Sequence, residues 1–294
     1  MRSSCLCPAV LVLASIGCLL TPHAAAAQEA SSSIEWKPGW REVGPVNYAL
    51  ATGLIAGLYG METLVETPPR RLHGEFPGDG VVRSVVVADS TEGRDTAVEL
   101  SDVGLYSSLL YPILDAMVVG GFVHGDANTT WQLLVINAQA LGTAGLFGRL
   151  GQKLVGRERP YVQECEPTDD RYHGFCPPGR PNESFISGHT AVSTAAAALA
   201  CVHHLHVPLY GGGLPDQLAC AGAASVALAT STLRLVGDMH YISDVVMGLG
   251  VGAASGFLLP YMLHYQLDGD GEAGGAWVPV ADRDRMGVQY IRQF

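Results

Sequence analysis

Charge is scarce in this chain. Only 15% of its 294 residues are Asp, Glu, Lys or Arg, against about 25% in an ordinary soluble domain. Positive charge is scarcer still, with 17 Lys and Arg against 28 acidic residues and a formal net charge of −11. That balance excludes nucleic acid as a partner, because such surfaces need clustered cations facing phosphates. Aromatic residues are also few, at 7%, so Ala and Gly fill much of the 48% apolar quota. Small residues at that density let helices approach closely, in water or in lipid. No Cys/His spacing suits zinc, so neither metal nor cofactor is expected, and there is no internal repeat.

What is present begins with an export signal. Arg2 forms a short positive region, Ala9 to Leu20 an apolar stretch, and Ala25 and Ala27 a small-residue cleavage site. Residues 1–27 are therefore expected to be a signal peptide, and 28–45 a linker. Of seven cysteines, Cys165, Cys176, Cys201 and Cys220 lie beyond the signal. Cys165 and Cys176 bracket a polar loop and are expected to pair in an oxidising compartment. Cys201 and Cys220 sit in Ala-rich apolar segments, where a second bridge and two buried thiols are equally compatible with the sequence.

Six apolar segments follow, at about Val46–Met61, Gly104–Val123, Ala127–Phe147, Thr190–Val207, Gln217–Leu233 and Val245–Leu263. Their length and lack of charge predict an all-α fold, a bundle of about six core helices over residues 46–265. Val81–Val87 is a candidate short strand, and Asp115 reads as a satisfied or partly solvated helix residue. The polar, Gly-rich tail (266–294) is expected along the surface, with Gly287–Phe294 as one edge strand. Segments of this length lie between membrane spans and buried core helices. With a cleaved signal, three true spans after the first 27 residues would put the Cys165–Cys176 loop in the cytoplasm, where the bridge could not persist. An exported bundle lying against a membrane, in the periplasm or cell envelope, therefore fits better than an integral one.

Three short clusters carry an unusual inventory: Gln152 to Pro160, Ser184 to Thr190, and Arg234 to Asp244. All fall at helix ends or interhelical turns, so an antiparallel bundle can gather them at one end. Arg159 and Arg234 offer planar charged forks that match phosphate oxygens. Ser187, Gly188 and His189 precede an apolar helix whose first N–H groups can face an anion. His240 and Asp244 are four apart, on one helical face, so a carboxylate can fix the imidazole tautomer as the ring attacks. His189 can then protonate a leaving oxygen. Arg157 reads as a solvated side chain.

Together these clusters resemble the type 2 phosphatidic acid phosphatase superfamily, which spans bacterial acid phosphatases, lipid phosphatases and vanadium haloperoxidases. Its motifs, Lys-x6-Arg-Pro, Pro-Ser-Gly-His and Ser-Arg-x5-His-x3-Asp, match Gln152 to Pro160, Ile186 to His189, and Leu233 to Asp244. The resemblance covers about Leu141 to Leu263. It implies a helical bundle with its site at one end and phosphomonoester hydrolysis through a phospho-histidine. His240 would be the nucleophile, Asp244 its partner and His189 the general acid. Arg159, Arg234, Ser187 and Gly188 would hold the phosphate. The substrate would be a phosphorylated lipid or a soluble monoester, with membrane contact. Gln152 stands where the family has lysine; it removes one positive charge, although its amide can still donate a hydrogen bond. That loss argues against the alternative of a vanadate-dependent haloperoxidase, and the retained histidines and arginines argue against a non-catalytic envelope protein.

Overall fold

The computed structural model describes residues 34–165, 176–177, 179–266, 275–282 and 285–292. The expected signal peptide and most of the Cys165–Cys176 loop lie outside them. Seven α-helices are present among the described residues: α1 (Pro45–Thr63), α2 (Asp79–Val86), α3 (Thr91–Leu114), α4 (Ala127–Val155), α5 (Gly188–His206), α6 (Leu214–Val236) and α7 (Ile242–Ala253). Six of them coincide with the six apolar segments.

Local chemistry sets the ends. Ser90 Oγ accepts from the Gly93 amide at the start of α3, and Asp126 does the same for Thr129 at the start of α4. Pro45 begins α1, where a missing N–H costs nothing. Pro112 interrupts the ladder inside α3, and π-helical turns follow from Asp115 to Val123. Gly156 ends α4 at φ +60, where an added Cβ would lie 2.7 Å from the Pro69 carbonyl oxygen.

The chain packs around α5, which is flanked by α3, α4, α6 and α7. The Ala and Gly content explains how. A Cβ on Gly248 would lie 2.9 Å from Ser187 O, and one on Gly252 2.5 Å from Ala191 O, so α7 crosses α5 at backbone contact. At the other end of α5, Leu133, Ile136, Leu199 and Val202 are wholly buried with Ile34, Trp36, Trp40 and Tyr265. Each such aliphatic side chain contributes roughly 1.5–3 kcal/mol. The segment expected as a linker is thus part of the core from Ile34 onward.

Two expectations, on Val81–Val87 and Arg157, are corrected. Val81–Val87 is not a strand: α2 occupies it, because Asp79 and Arg83, four apart, face inward to ion-pair with Arg157 and Asp238. That leaves Val81 and Val85 exposed; tertiary pairing overrides β propensity. Asp115, read as satisfied or partly solvated, is buried and partnered, with Oδ2 3.0 Å from His204 Nε2. Arg157 is not solvated but fully buried. The tail holds an antiparallel hairpin, β1 (Gly275–Asp282) and β2 (Arg285–Arg292), with Gly275 opposite Arg292. Both cysteine pairs are bridged, Cys165–Cys176 and Cys201–Cys220.

Four helical stretches, Thr91–Val123, Ala127–Val155, Leu214–Val236 and Ile242–Tyr265, are long and apolar enough to cross a membrane. Tyr106, Leu110, Phe122, Leu218, Leu228 and Val246 point outward from them. An exterior this apolar suits contact with a membrane.

Candidate active site

A cavity of about 320 Å³ opens at the end of the bundle where α5 begins. Gln152 and Arg149 of α4 line it, with Arg159, His189, Arg234, Met239 and His240. Five of the residues singled out from the sequence thus share one cavity. Ser187, Gly188 and Asp244 do not line it but adjoin residues that do.

His240 follows a turn in which Asp238 takes a left-handed conformation, φ 55. That turn is anchored because Arg83 bonds both Asp238 carboxylate oxygens, at 2.8 and 2.7 Å, and Arg94 approaches at 3.4 Å. The His240 Nδ1–H donates to the Ser184 carbonyl oxygen at 2.8 Å, which leaves the lone pair on Nε2. Burial and the charges of Arg159 and Arg234 hold the imidazole well below its ordinary pKa. The ring is therefore a neutral base at physiological pH.

Asp244 sits in the first turn of α7, 3.9 Å from His240 Nδ1, too far for a hydrogen bond. The Ser184 carbonyl, rather than this carboxylate, fixes the tautomer. Asp244 accepts from Ser184 Oγ (2.6 Å), the Tyr241 amide (2.9 Å) and Arg157 Nη1 (2.6 Å). Its backbone carbonyl also accepts the Ser187 amide. Arg157 is clamped between the Phe76 and Tyr241 rings at 4.3 and 4.2 Å, and its Nη2 donates to Asp79 at 2.6 Å. Asp244 is thus a strut between the loop carrying Ser184 and the turn carrying His240.

Ser187 caps α5 and is buried, with Oγ 3.0 Å from Thr190 Oγ1. Its own amide is spent on Asp244, and the intrahelical ladder begins at the Ala191 amide, so the amides of Gly188, His189 and Thr190 are the ones this helix start leaves outside the ladder. His189 Nε2 lies 2.6 Å from Asp102 Oδ1 on α3. Burial, and next the charge of Arg234, push the His189 pKa down to about 4.

Both arginines are buried and poorly paired. Arg234 Nη1 donates to Ser101 Oγ at 3.0 Å, and its Nε has no partner among the described residues. Arg159 Nε and Nη1 also lack partners there, and loss of solvation lowers the Arg159 pKa. Unmet guanidinium donors beside an open cavity are costly unless an anion completes them. Gln152 is buried, with its amide nitrogen donating to Ile186 O at 2.9 Å and its oxygen accepting from Arg149 Nη1 at 2.6 Å.

Asp102, Arg149, Arg180 and the supporting Ser184 were not picked out from the sequence. Asp102 is 87 positions from His189, so no local spacing joins them, whereas Ser184 stood inside the second cluster without a role. The arrangement supplies a neutral imidazole with a lone pair on Nε2, unmet cations and a second histidine with a carboxylate partner.

The PAP2 superfamily profile matches residues 131–268. The chain is 30% identical over 152 residues to the lipid A 1-phosphatase of Porphyromonas gingivalis, an alignment covering 51% of this chain and 28% of that protein. The match thus spans under a third of the relative's length. Among solved structures, the crystal structure of the first transmembrane PAP2 type phosphatidylglycerolphosphate phosphatase from Bacillus subtilis aligns at TM-score 0.47 and 17% identity. That alignment covers 72% of this chain and 93% of the other.

Proposed function

We propose that this protein, whose residues 131–268 match the PAP2 superfamily profile, is a metal-independent phosphatase that takes lipid phosphate monoesters through a phospho-histidine intermediate. The observation that carries the proposal is the set of three buried guanidinium nitrogens without partners, beside a histidine whose Nε2 lone pair is free. A phosphate monoester anion meets both needs at once.

In the first step His240 Nε2 attacks phosphorus, and the bond to the leaving oxygen breaks with its electron pair. Arg159, Arg234 and the amides of Gly188 and His189 receive the charge on the other oxygens. The bound ester monoanion gives its proton to His189, which Asp102 orients, and His189 passes a proton to the leaving oxygen. In the second step water attacks phosphorus, His189 removes the water's proton, and the P–N bond pair returns to His240. Two displacements replace one harder one.

The apolar exterior of α3, α4, α6 and α7 supports work at a membrane, with the head group entering from the surface. The Cys165–Cys176 bridge beside the cavity supports a site facing an oxidising compartment, the periplasm or cell envelope. The likeness to a lipid A 1-phosphatase supports a phosphorylated lipid as substrate.

The test is phosphate release from phosphatidate, an isoprenyl diphosphate, lipid A and p-nitrophenyl phosphate by the full chain in detergent. Turnover of a lipid substrate that is lost in both His189→Ala and His240→Ala is expected. Release that persists in both variants would overturn the mechanism.

A further inference from the structure

Gln152 occupies the place of the motif lysine, and the site should therefore lack a cation. The lysine beside it does not compensate: Lys153 is buried against Glu183 at 2.7 Å. One helical turn earlier, on the same face of α4, Arg149 lines the cavity and donates to Gln152 Oε1 at 2.6 Å. It also reaches Glu62 of α1 at 2.7 Å and Glu183 at 3.1 Å. Arg180, across the cavity mouth, pairs with Glu62 as well and lies 3.6 Å from Glu183.

This cluster has an uneven charge count. Arg149, Lys153 and Arg180 share two carboxylates, Glu62 and Glu183. One cation can therefore turn to an anion without leaving a buried carboxylate bare. Lys153 does not line the cavity, and Arg180 lies on a more exposed loop at its mouth. Arg149 alone combines the cavity wall with direct contact to the substituted motif position.

We propose that Arg149 supplies the phosphate-binding charge missing at Gln152. In the free protein Glu62 holds it, and it turns from Glu62 to a phosphate oxygen when substrate enters. Gln152 is its hinge: the side-chain oxygen orients the guanidinium, and the amide bond to Ile186 O ties both to the start of α5. The cation has moved one turn along the helix rather than disappeared. This rests on the phosphatase reading above for its catalytic consequence, but not for its binding consequence.

The experiment is a charge relocation in the full-length protein, read by KM for p-nitrophenyl phosphate and by binding of inorganic phosphate in a calorimeter. Arg149→Gln is expected to weaken both by about tenfold or more, the scale of one charged hydrogen bond. Adding Gln152→Lys to that variant is expected to restore both to within about threefold of wild type, which repair of a merely structural ion pair would not do. Glu62→Gln removes the competing carboxylate and is expected to tighten phosphate binding even if Arg149→Gln fails to fold. Phosphate binding unchanged in Arg149→Gln, no recovery in the double variant, or no effect of Glu62→Gln would each overturn the proposal. If wild type binds phosphate with this pattern yet hydrolyses no ester, the phosphatase reading fails and the Arg149 assignment stands. If wild type binds no phosphate, both fail.

Discussion

The two ends of α5 carry the same kinds of residue in opposite states. At its first turn His189 faces one half-exposed carboxylate, while Arg159 and Arg234 stand nearby with donors unmet. At its last turns His204 lies between two buried carboxylates, Asp216 at 2.6 Å and Asp115 at 3.0 Å. The adjacent His203 is bracketed by Tyr265 OH and Asn137 Oδ1 at 2.6 and 2.8 Å. His203 and His204 have both ring nitrogens engaged, whereas His189 and His240 each show one. Buried polar groups that find partners hold a fold together, whereas those left waiting are costs that an absent ligand repays.

That contrast yields an ordered set of expectations. His240→Ala should lower hydrolysis by about 10⁴-fold or more, since a nucleophile lost from a concerted site is not replaced by its neighbours. Calorimetry should still find phosphate bound, because the arginines remain. At the far end, His204→Ala strands two carboxylates and should cost about 3–5 kcal/mol of stability. KM of the folded fraction should stay at wild type, which denaturant titration alongside kinetics would separate. If His204→Ala instead raised KM at unchanged stability, the two ends would not differ as described.

Arg159→Met should reduce kcat/KM by about 10²-fold while holding or raising the melting temperature. It exchanges an unpaired buried charge for an apolar chain of similar length. A large drop in melting temperature would show that Arg159 has structural partners after all.

Smaller effects sharpen the role of His189. Its pKa of about 4 leaves it neutral in the free protein. The productive complex therefore draws its proton from the phosphate monoanion, whose second pKa is about 6. As pH rises past about 6 that proton is lost, and below about 4 His189 carries one too many. kcat/KM should hold a plateau between those limits, which a pH–rate profile would display. Asp102 raises the His189 pKa, so Asp102→Asn should move the acid limb to lower pH. It should slow alkyl phosphates about tenfold and p-nitrophenyl phosphate, whose leaving group needs little proton help, far less. Equal slowing of both would mean that Asp102 acts only on structure.

Much of this arrangement was legible in the sequence because the chemistry is local. Arg159, Ser187, Gly188, His189, Arg234, His240 and Asp244 fall in three short clusters at helix ends, and the length and lack of charge of six apolar segments gave the bundle. What escaped was set by contacts between distant segments. Arg157 read as solvated, yet Phe76 and Asp79 from one distant region and Tyr241 and Asp244 from another enclose it. The Val81 run read as a strand because its β-branched residues were visible and its ionic partners, Arg157 and Asp238, were not. Asp102 and Arg149 looked like ordinary charges on long helices, and only the bundle brings them to the cavity.

The central claim is that the phosphoryl group passes through His240. The stereochemistry of hydrolysis at phosphorus tests it directly, using a monoester made chiral with oxygen isotopes and sulfur. Two in-line displacements, onto His240 Nε2 and then onto water, give retention of configuration, and retention is the expected result. Inversion would mean that water attacks the ester in one step, and the phospho-histidine account would be contradicted.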